Sequence, residues 1–547
     1  MMPISSVESG RAHQAASSIA LETASPFAEQ ACLVAEELDA AVQRFSQFLQ
    51  FRTVSSPLVP HHTVEPDEFR RLHEWMPTAF PEVWETLEVE EVGDGNLSYL
   101  LKWTGTAEVK QQRRQQHRQQ QQQQQPVLTE EEEELDAAGQ PLLPVLFLSH
   151  LDVVPVANET LANWTHPPFS GAVAGGYVWG RGALDDKVGV AGLLEAATLL
   201  IRTGWRPLRT LYFAFGQDEE VGGGMGAAQI AALLASRGVK VDMVFDEGGS
   251  IGADGYPPYS TRPVALVGLA EKGYATILVQ VSAAGGHSSI PPLDGSSAAA
   301  VAARIVTAIN RRPPPARLVA PVTQFLSAIA PSTPGLRGQL FSVAASPLAP
   351  DWLRDLVAGA FLGRDTPETA ALIRDTAAVT GLTLGFADNV LPPSATVRVN
   401  FRLLPGSTVQ DVIDYLTEVA GPDLPHVRFE MNGSQNGSQA TPVTPASSPY
   451  FAQLKAAVQQ VYLLKDGSGS VDVAPTLMAG GTDSKHYLRI SAGGALRHVP
   501  VSLNKTAGDV RRVHGLNERV SVADFGRGVC VFQRLLQLVG GGGSRSA

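Results

Sequence analysis

The sequence predicts an α/β fold: a mostly parallel sheet covered by helices on both faces, with a smaller α+β domain inserted into it. Three observations lead there. The chain has 547 residues, more than one compact core holds, so two domains are expected. Apolar strand-like runs alternate with helix-period runs from about residue 144 to 246, the pattern of a parallel sheet crossed by helices. After Gly273 this texture breaks, and it resumes near residue 446.

Residues 1–35 read as a flexible tail. Helical period starts near Glu36 and runs to Phe51, with Leu38, Ala41, Phe45 and Phe48 on one stripe. Strands are expected at 97–103 and 144–154. Between them a Gln/Glu insertion, 108–140, cannot bury apolar surface and is expected to be disordered, a tolerated expansion of a surface loop. An interaction tract is the other reading. A helix at 186–203, a strand at 210–216, a helix at 226–237 and a strand at 240–246 follow. These place one domain over 36–270 and 436–538. The inserted unit, 271–435, should hold a strand (274–283), a helix (297–311), an irregular Pro-rich stretch (312–350), strands at 381–387 and 395–402, and a helix at 408–419. An amphipathic helix at 522–538 precedes a flexible tail, 539–547.

The bulk numbers exclude several function classes. Apolar residues make up 44% and charged residues 18%, an ordinary globular balance, and the formal net charge is −12. With no basic stripe, a nucleic-acid partner is not expected. No apolar run reaches the length of a membrane span, and the N-terminus shows no apolar signal core, so the compartment stays unknown. Sequons at Asn96, Asn158, Asn163, Asn432, Asn436 and Asn504 matter only on a secretory route. The two cysteines, Cys32 and Cys530, lie near opposite ends and are read as ordinary thiols, with a single long-range bridge as the other reading.

Four segments rich in His and acids each follow an apolar strand: Ser149-His150-Leu151-Asp152, Gly180 to Lys187, Asp218-Glu219-Glu220 and Asp246-Glu247-Gly248-Gly249. In a parallel sheet the carboxyl ends of the strands share one edge, so distant residues converge there. Carboxylates gathered at one edge repel unless a cation neutralises them. One imidazole with four or five carboxylates is an N/O donor set that zinc accepts, and that manganese or cobalt also suits. Any one segment alone reads as a strand-end loop with helix-capping acids.

The stretches SHLDVVPV, WTHPPFSGAVAGGYVWGRGALDDK, FGQDEEVGG, DEGG, EKG, GGHSSIPP, NFRLLPG, GGTDSKHY and VHGLNERV resemble the di-zinc amidohydrolases that include aminoacylase, carboxypeptidase S and succinyl-diaminopimelate desuccinylase. The carboxypeptidase S and N-fatty-acyl-amino-acid hydrolase branch is the nearest likeness. The resemblance implies two Zn²⁺ per subunit. It makes His150 and Asp246 ligands of one ion, Glu220 and His514 ligands of the other, and Asp185 the bridge, with a cis peptide after it. Asp152 would orient His150, and Glu219 would be the general base, although both Glu219 and Glu220 could be ligands. His287 would come from the inserted dimerisation and lid domain of a second subunit to hold the oxyanion. Asn389, Arg402, Gly481 and Thr482 would bind substrate. Lys485 stands where many relatives carry Arg.

The function this implies is zinc-dependent hydrolysis of an amide beside a free C-terminal carboxylate, in an N-acyl-amino acid or short peptide. The partners expected are that small molecule and a second copy of the chain, since relatives form homodimers and are secreted or vacuolar. A dipeptidase of the same architecture is one alternative, and a non-catalytic metal-binding scaffold is another.

Overall fold

The computed structural model describes residues 25–28, 32–108, 142–385, 387–432, 437–541 and 543–544; apart from Glu108, the Gln/Glu insertion read at 108–140 lies outside them. The chain forms two compact units, one of Met1–Val267, Pro445–Ala474 and Thr482–Ala547, the other of Gly268–Thr444 and Pro475–Gly481.

The first unit is built on a large sheet in the order Glu88–Val92, Ser98–Trp103, Leu211–Gly216, Val145–His150, Met243–Asp246, Ala495–Arg497, Val264–Glu271, Ile251–Gly252 and Ser502–Leu503. Its centre is parallel: Val145–His150 runs alongside both Leu211–Gly216 and Met243–Asp246, and Ala495–Arg497 alongside Met243–Asp246. Every residue of Val145–His150 and of Leu211–Gly216 is buried, as strands covered on both faces require. The register sets His150 opposite Gly216 and Arg497 opposite Asp246. The carboxyl ends of these strands therefore form one edge, and the loops after them carry the acidic segments.

Helices fix that edge from behind. Lys187–Arg202 is buried from Lys187 to Leu200, and its Gly192 lies so close to Val522–Gly540 that an added Cβ would stand 2.8 Å from the Phe532 ring. Phe45 of the helix Ala35–Phe48 stacks on Phe525 at 4.7 Å between centroids.

The second unit carries an antiparallel sheet in the order Thr376–Leu384, Ser394–Leu403, Gly273–Ser282, Val427–Met431. Helices Ala298–Arg311 and Val409–Ala420 cover it, burying Val301, Ile305, Val412 and Leu416 against Ile277, Val279, Val397 and Val399. Ser297 caps the first helix, and a Thr408–Asp411 capping box starts the second.

Several expectations are corrected. Cys32 and Cys530 are not free thiols but a disulfide, with Cα atoms 5.6 Å apart. The segment before Ala35 returns to the C-terminal helix, a long-range contact that spacing cannot reveal. That segment is also tied down at Phe27, which is fully buried, bridges Leu464 and packs edge-on against Tyr462. The Pro-rich stretch is not irregular: Ala320–Ile329 and Gly335–Ala345 within it are helices, and the helices Asp351–Leu356 and Pro367–Leu372 follow it. Their prolines sit at caps or in first turns (Pro321, Pro334, Pro350, Pro367), where a missing N–H costs nothing. The last helix continues to Gly540, and Gly543–Ser544 pairs with Trp205–Arg206. Among the described residues no helix is long and apolar enough to cross a membrane.

The close approach at Gly192 makes a stability prediction. Gly192→Val places two methyl groups where the Phe532 ring sits and should destabilise the fold by about 1–3 kcal/mol, read as a lower midpoint in urea unfolding. An unchanged midpoint would mean that the two helices are not in tight contact there.

Candidate metal centre

His150 ends its strand with its imidazole almost wholly buried. Its Nδ1 lies 3.0 Å from the Asp152 carbonyl oxygen and 3.3 Å from Asp152 Oδ1, which leaves Nε2 for the cleft. Asp152 is fully buried, and its carboxylate accepts from the Glu219 amide at 3.0 Å and the Glu220 amide at 3.2 Å. One carboxylate thus orients an imidazole and pins the turn that follows the neighbouring strand. Asp218 braces the same turn. It accepts from the amides of Met225 and Gly226, both at 2.8 Å, and pairs with His62 Nδ1 at 2.8 Å. Neither His62 nor the bracing role of Asp218 is signalled by any motif in the sequence.

Asp185 lies between two imidazoles. Its Oδ1 is 3.0 Å from His150 Nε2 and its Oδ2 is 3.0 Å from His514 Nε2. The Asp185–Asp186 peptide is cis, as the resemblance implies. His514 Nε2 also meets Glu220 Oε2 at 3.1 Å, while Glu220 Oε1 is buried without a partner. His514 has φ +57, the left-handed region that non-glycine residues seldom occupy. Glu220 meets His514 and also groups with His150 and Asp185, while Glu219 groups with Glu247 and His150, the donor atoms in each group lying within 4.8 Å of one another.

Asp246, expected as a ligand beside His150, lies outside both groups. The Asp246 carboxylate is spent on Thr482 Oγ1 at 2.6 Å and the Ser484 amide at 2.7 Å, with its other oxygen on the Glu247 amide at 2.9 Å. The next residue, Glu247, brings its carboxylate to His150 instead. Strand alternation explains the division. Asp246 follows Val244, which belongs to the apolar cluster beneath Ala227 and Ile230, and Glu247 lies one residue on. Thr482, expected to bind substrate, is buried with its hydroxyl on Asp246.

Charge crowding shows in the proton affinities. Burial, reinforced by neighbouring acids, holds the Glu219 and Glu247 carboxyls well above the usual range, and burial raises Glu220. Hydrogen bonds to Asp185 and Glu220 push His514 up to about 10. Burial opposes the charged form of His150, but hydrogen bonds to Asp152 and Asp185 outweigh it and leave its pKa well above normal. Burial would raise Asp185, yet its bonds to both imidazoles hold it low. Protons here do what a cation does elsewhere: they relieve repulsion among acids at one edge.

The remaining predicted residues lie in the second unit. Gly286–His287 pairs with Val390–Leu391, and the Ser288 amide donates to the Asn389 carbonyl at 3.1 Å, so His287 and Asn389 are neighbours, both exposed. His287 Nδ1 lies 2.8 Å from the Ser289 hydroxyl. Arg402 is elsewhere: its guanidinium covers the Tyr274 ring at 5.1 Å, at the far end of the strand from Ser394. Gly481 is exposed.

Residues 146–538 match the profile of peptidase family M20/M25/M40. The chain belongs to this family. It is a hydrolase of C–N bonds, of a family that depends on metal, typically zinc. The chain is 30% identical to a probable carboxypeptidase S-like protein of Dictyostelium discoideum, over 90% of this chain and 84% of that one. It is 36% identical to an N-fatty-acyl-amino acid synthase/hydrolase of Xenopus tropicalis, over 70% and 69%. The M20 fold is seen in a metallo-carboxypeptidase of Sulfolobus solfataricus, with TM-score 0.57 and 15% identity, covering 93% of this chain and all of that one.

The division between Asp246 and Glu247 is open to direct test in this M20 peptidase. Glu247→Ala should lose one equivalent of tightly held zinc, while Asp246→Asn, which keeps an acceptor for Thr482, should retain the wild-type content. Metal analysis after dialysis reads both. Loss from Asp246→Asn alone would restore Asp246 as the ligand.

Proposed function

We propose that this chain hydrolyses the amide bond of N-acyl-amino acids or short peptides that end in a free carboxylate, with two zinc ions held across Asp185. The observation that carries the reading is the Asp185 carboxylate, whose two oxygens each face a different imidazole at 3.0 Å. The donors divide accordingly, His150 and Glu247 on one side, Glu220 and His514 on the other. The orphaned Glu220 Oε1 and the crowded acids fit a cationic occupant, and the N/O set suits zinc. Zinc bound there would supply Lewis acidity and lower the pKa of a water to about 7.

The chain's own residues do the rest. Glu219, pinned through its amide by Asp152 and grouped with His150, is the candidate to take a proton from the attacking water and pass it to the leaving nitrogen. Burial, the largest cause, holds its pKa well above the usual carboxylate range. Asp152 holds Glu219 by its amide and His150 by its ring, coupling base and ligand geometry.

The substrate class rests on the relatives, whose names specify carboxypeptidase S-like and fatty-acyl-amino acid chemistry. Arg402 is the candidate to pair with the substrate carboxylate, since a guanidinium meets that group with two parallel bonds. His287, with Asn389 beside it, is the candidate donor to the oxyanion, supplied by a second copy of the chain in a homodimer.

Glu219→Gln separates the base from the ligands. It should keep the wild-type zinc content while kcat toward N-acyl-amino acids falls about 10²–10⁴-fold. Retained turnover, or loss of a zinc equivalent, would refute the assignment of Glu219 as base. A wild-type enzyme idle on N-acyl-amino acids and on C-terminally free peptides alike would refute the substrate class.

A further inference from the structure

We propose that Arg181 and Glu518 form a buried positioning pair that locks the bridging Asp185 against His514, so that the second metal's ligands are assembled before the ion arrives. Both side chains are almost wholly buried and paired through Arg181 Nη1 and Glu518 Oε2. What distinguishes the pair is where its other hydrogen bonds end. Glu518 Oε1 accepts from the Leu184 amide at 2.8 Å and the Asp185 amide at 3.3 Å. Arg181 Nη2 donates to the carbonyl oxygens of His514 at 3.1 Å and Gly515 at 3.2 Å. One ion pair therefore grips the backbone of the bridge and the backbone of His514, a residue 333 positions away from Arg181 in sequence.

The grip answers a specific difficulty. His514 is half-exposed, on a loop, at φ +57, and would relax without support. Its carbonyl and the next are held by a planar guanidinium that also covers the Trp164 ring at 5.6 Å. A lysine in that place is a compact point charge without the planar fork that sets one nitrogen at the carboxylate and the other at the two carbonyls. Glu518 cannot leave without stranding a buried guanidinium. Such supports around metal ligands typically control affinity by about 10–100-fold. The pair touches neither substrate nor ion, so its members are positioning residues, and their role rests on the two-metal reading given above.

The test is stepwise zinc binding by the full chain, measured by competition with a chromogenic chelator, in Arg181→Lys and Glu518→Gln, with His514→Ala marking which step belongs to that side. In each variant the His514-side step should weaken about 10–100-fold, the other step should match wild type, and excess zinc should restore kcat. A pair that merely held the fold would instead lower the melting temperature of the metal-free protein and weaken both steps together, which would overturn the proposal. Unchanged binding at both steps in folded variants would overturn it too. If either variant is unfolded without metal, refolding on zinc titration, followed by circular dichroism, reads the same affinity; failure of excess zinc to restore the fold assigns the pair to the fold and overturns the proposal. A wild-type chain that takes up one ion only would fail the two-metal reading itself, a result distinct from two ions bound equally tightly in wild type and variants.

Discussion

Repulsion among buried acids is the constraint around which this molecule is organised. Asp185, Glu219, Glu220 and Glu247, all partly buried, share one sheet edge with the buried His150 and the half-exposed His514. Charged together they would be costly, and their raised proton affinities record that cost. Only the acid between two imidazoles, Asp185, is held low. A site with this balance exchanges protons for a cation, so metal affinity, charge state and local order are one coupled property.

The fold supplies the rigidity that such crowding needs. Fully buried parallel strands carry the candidate ligands at their ends, and a buried helix behind them, close-packed at Gly192, leaves little room for the edge to relax. Around the ligands a second layer of buried polar groups divides the work. Asp152 aligns His150 with the Glu219–Glu220 turn, Asp218 braces that turn, and Asp246 ties its strand end to Thr482 and Ser484. Arg181 and Glu518 do the same between distant segments. Each of these acids has its oxygens committed to amides, a hydroxyl, an imidazole or a guanidinium.

Much of this was legible in the sequence. Strand–helix alternation locates the parallel sheet, because covered strands are continuous apolar runs and the helices between them keep their own period. The acids after each strand announce the edge. Individual roles are harder to read. Asp246 and Glu247 are chemically alike and adjacent, and only the face each side chain takes decides which meets His150. Thr482 sits in a glycine-rich loop that suggests ligand binding, yet its hydroxyl is consumed by Asp246. Pro321, Pro334, Pro350 and Pro367 look like helix breakers but sit at helix starts. The Cys32–Cys530 disulfide and the Arg181–Glu518 pair join residues hundreds of positions apart, a separation over which local pattern carries no information.

The central claim is that Asp185 is shared by two metal ions. Anomalous diffraction at the zinc edge, from crystals of the zinc-loaded chain, addresses it most directly. The account predicts two peaks about 3.5 Å apart, one on the His150 and Glu247 side of Asp185 and one on the Glu220 and His514 side. A single peak, or a second one remote from Asp185, would contradict it.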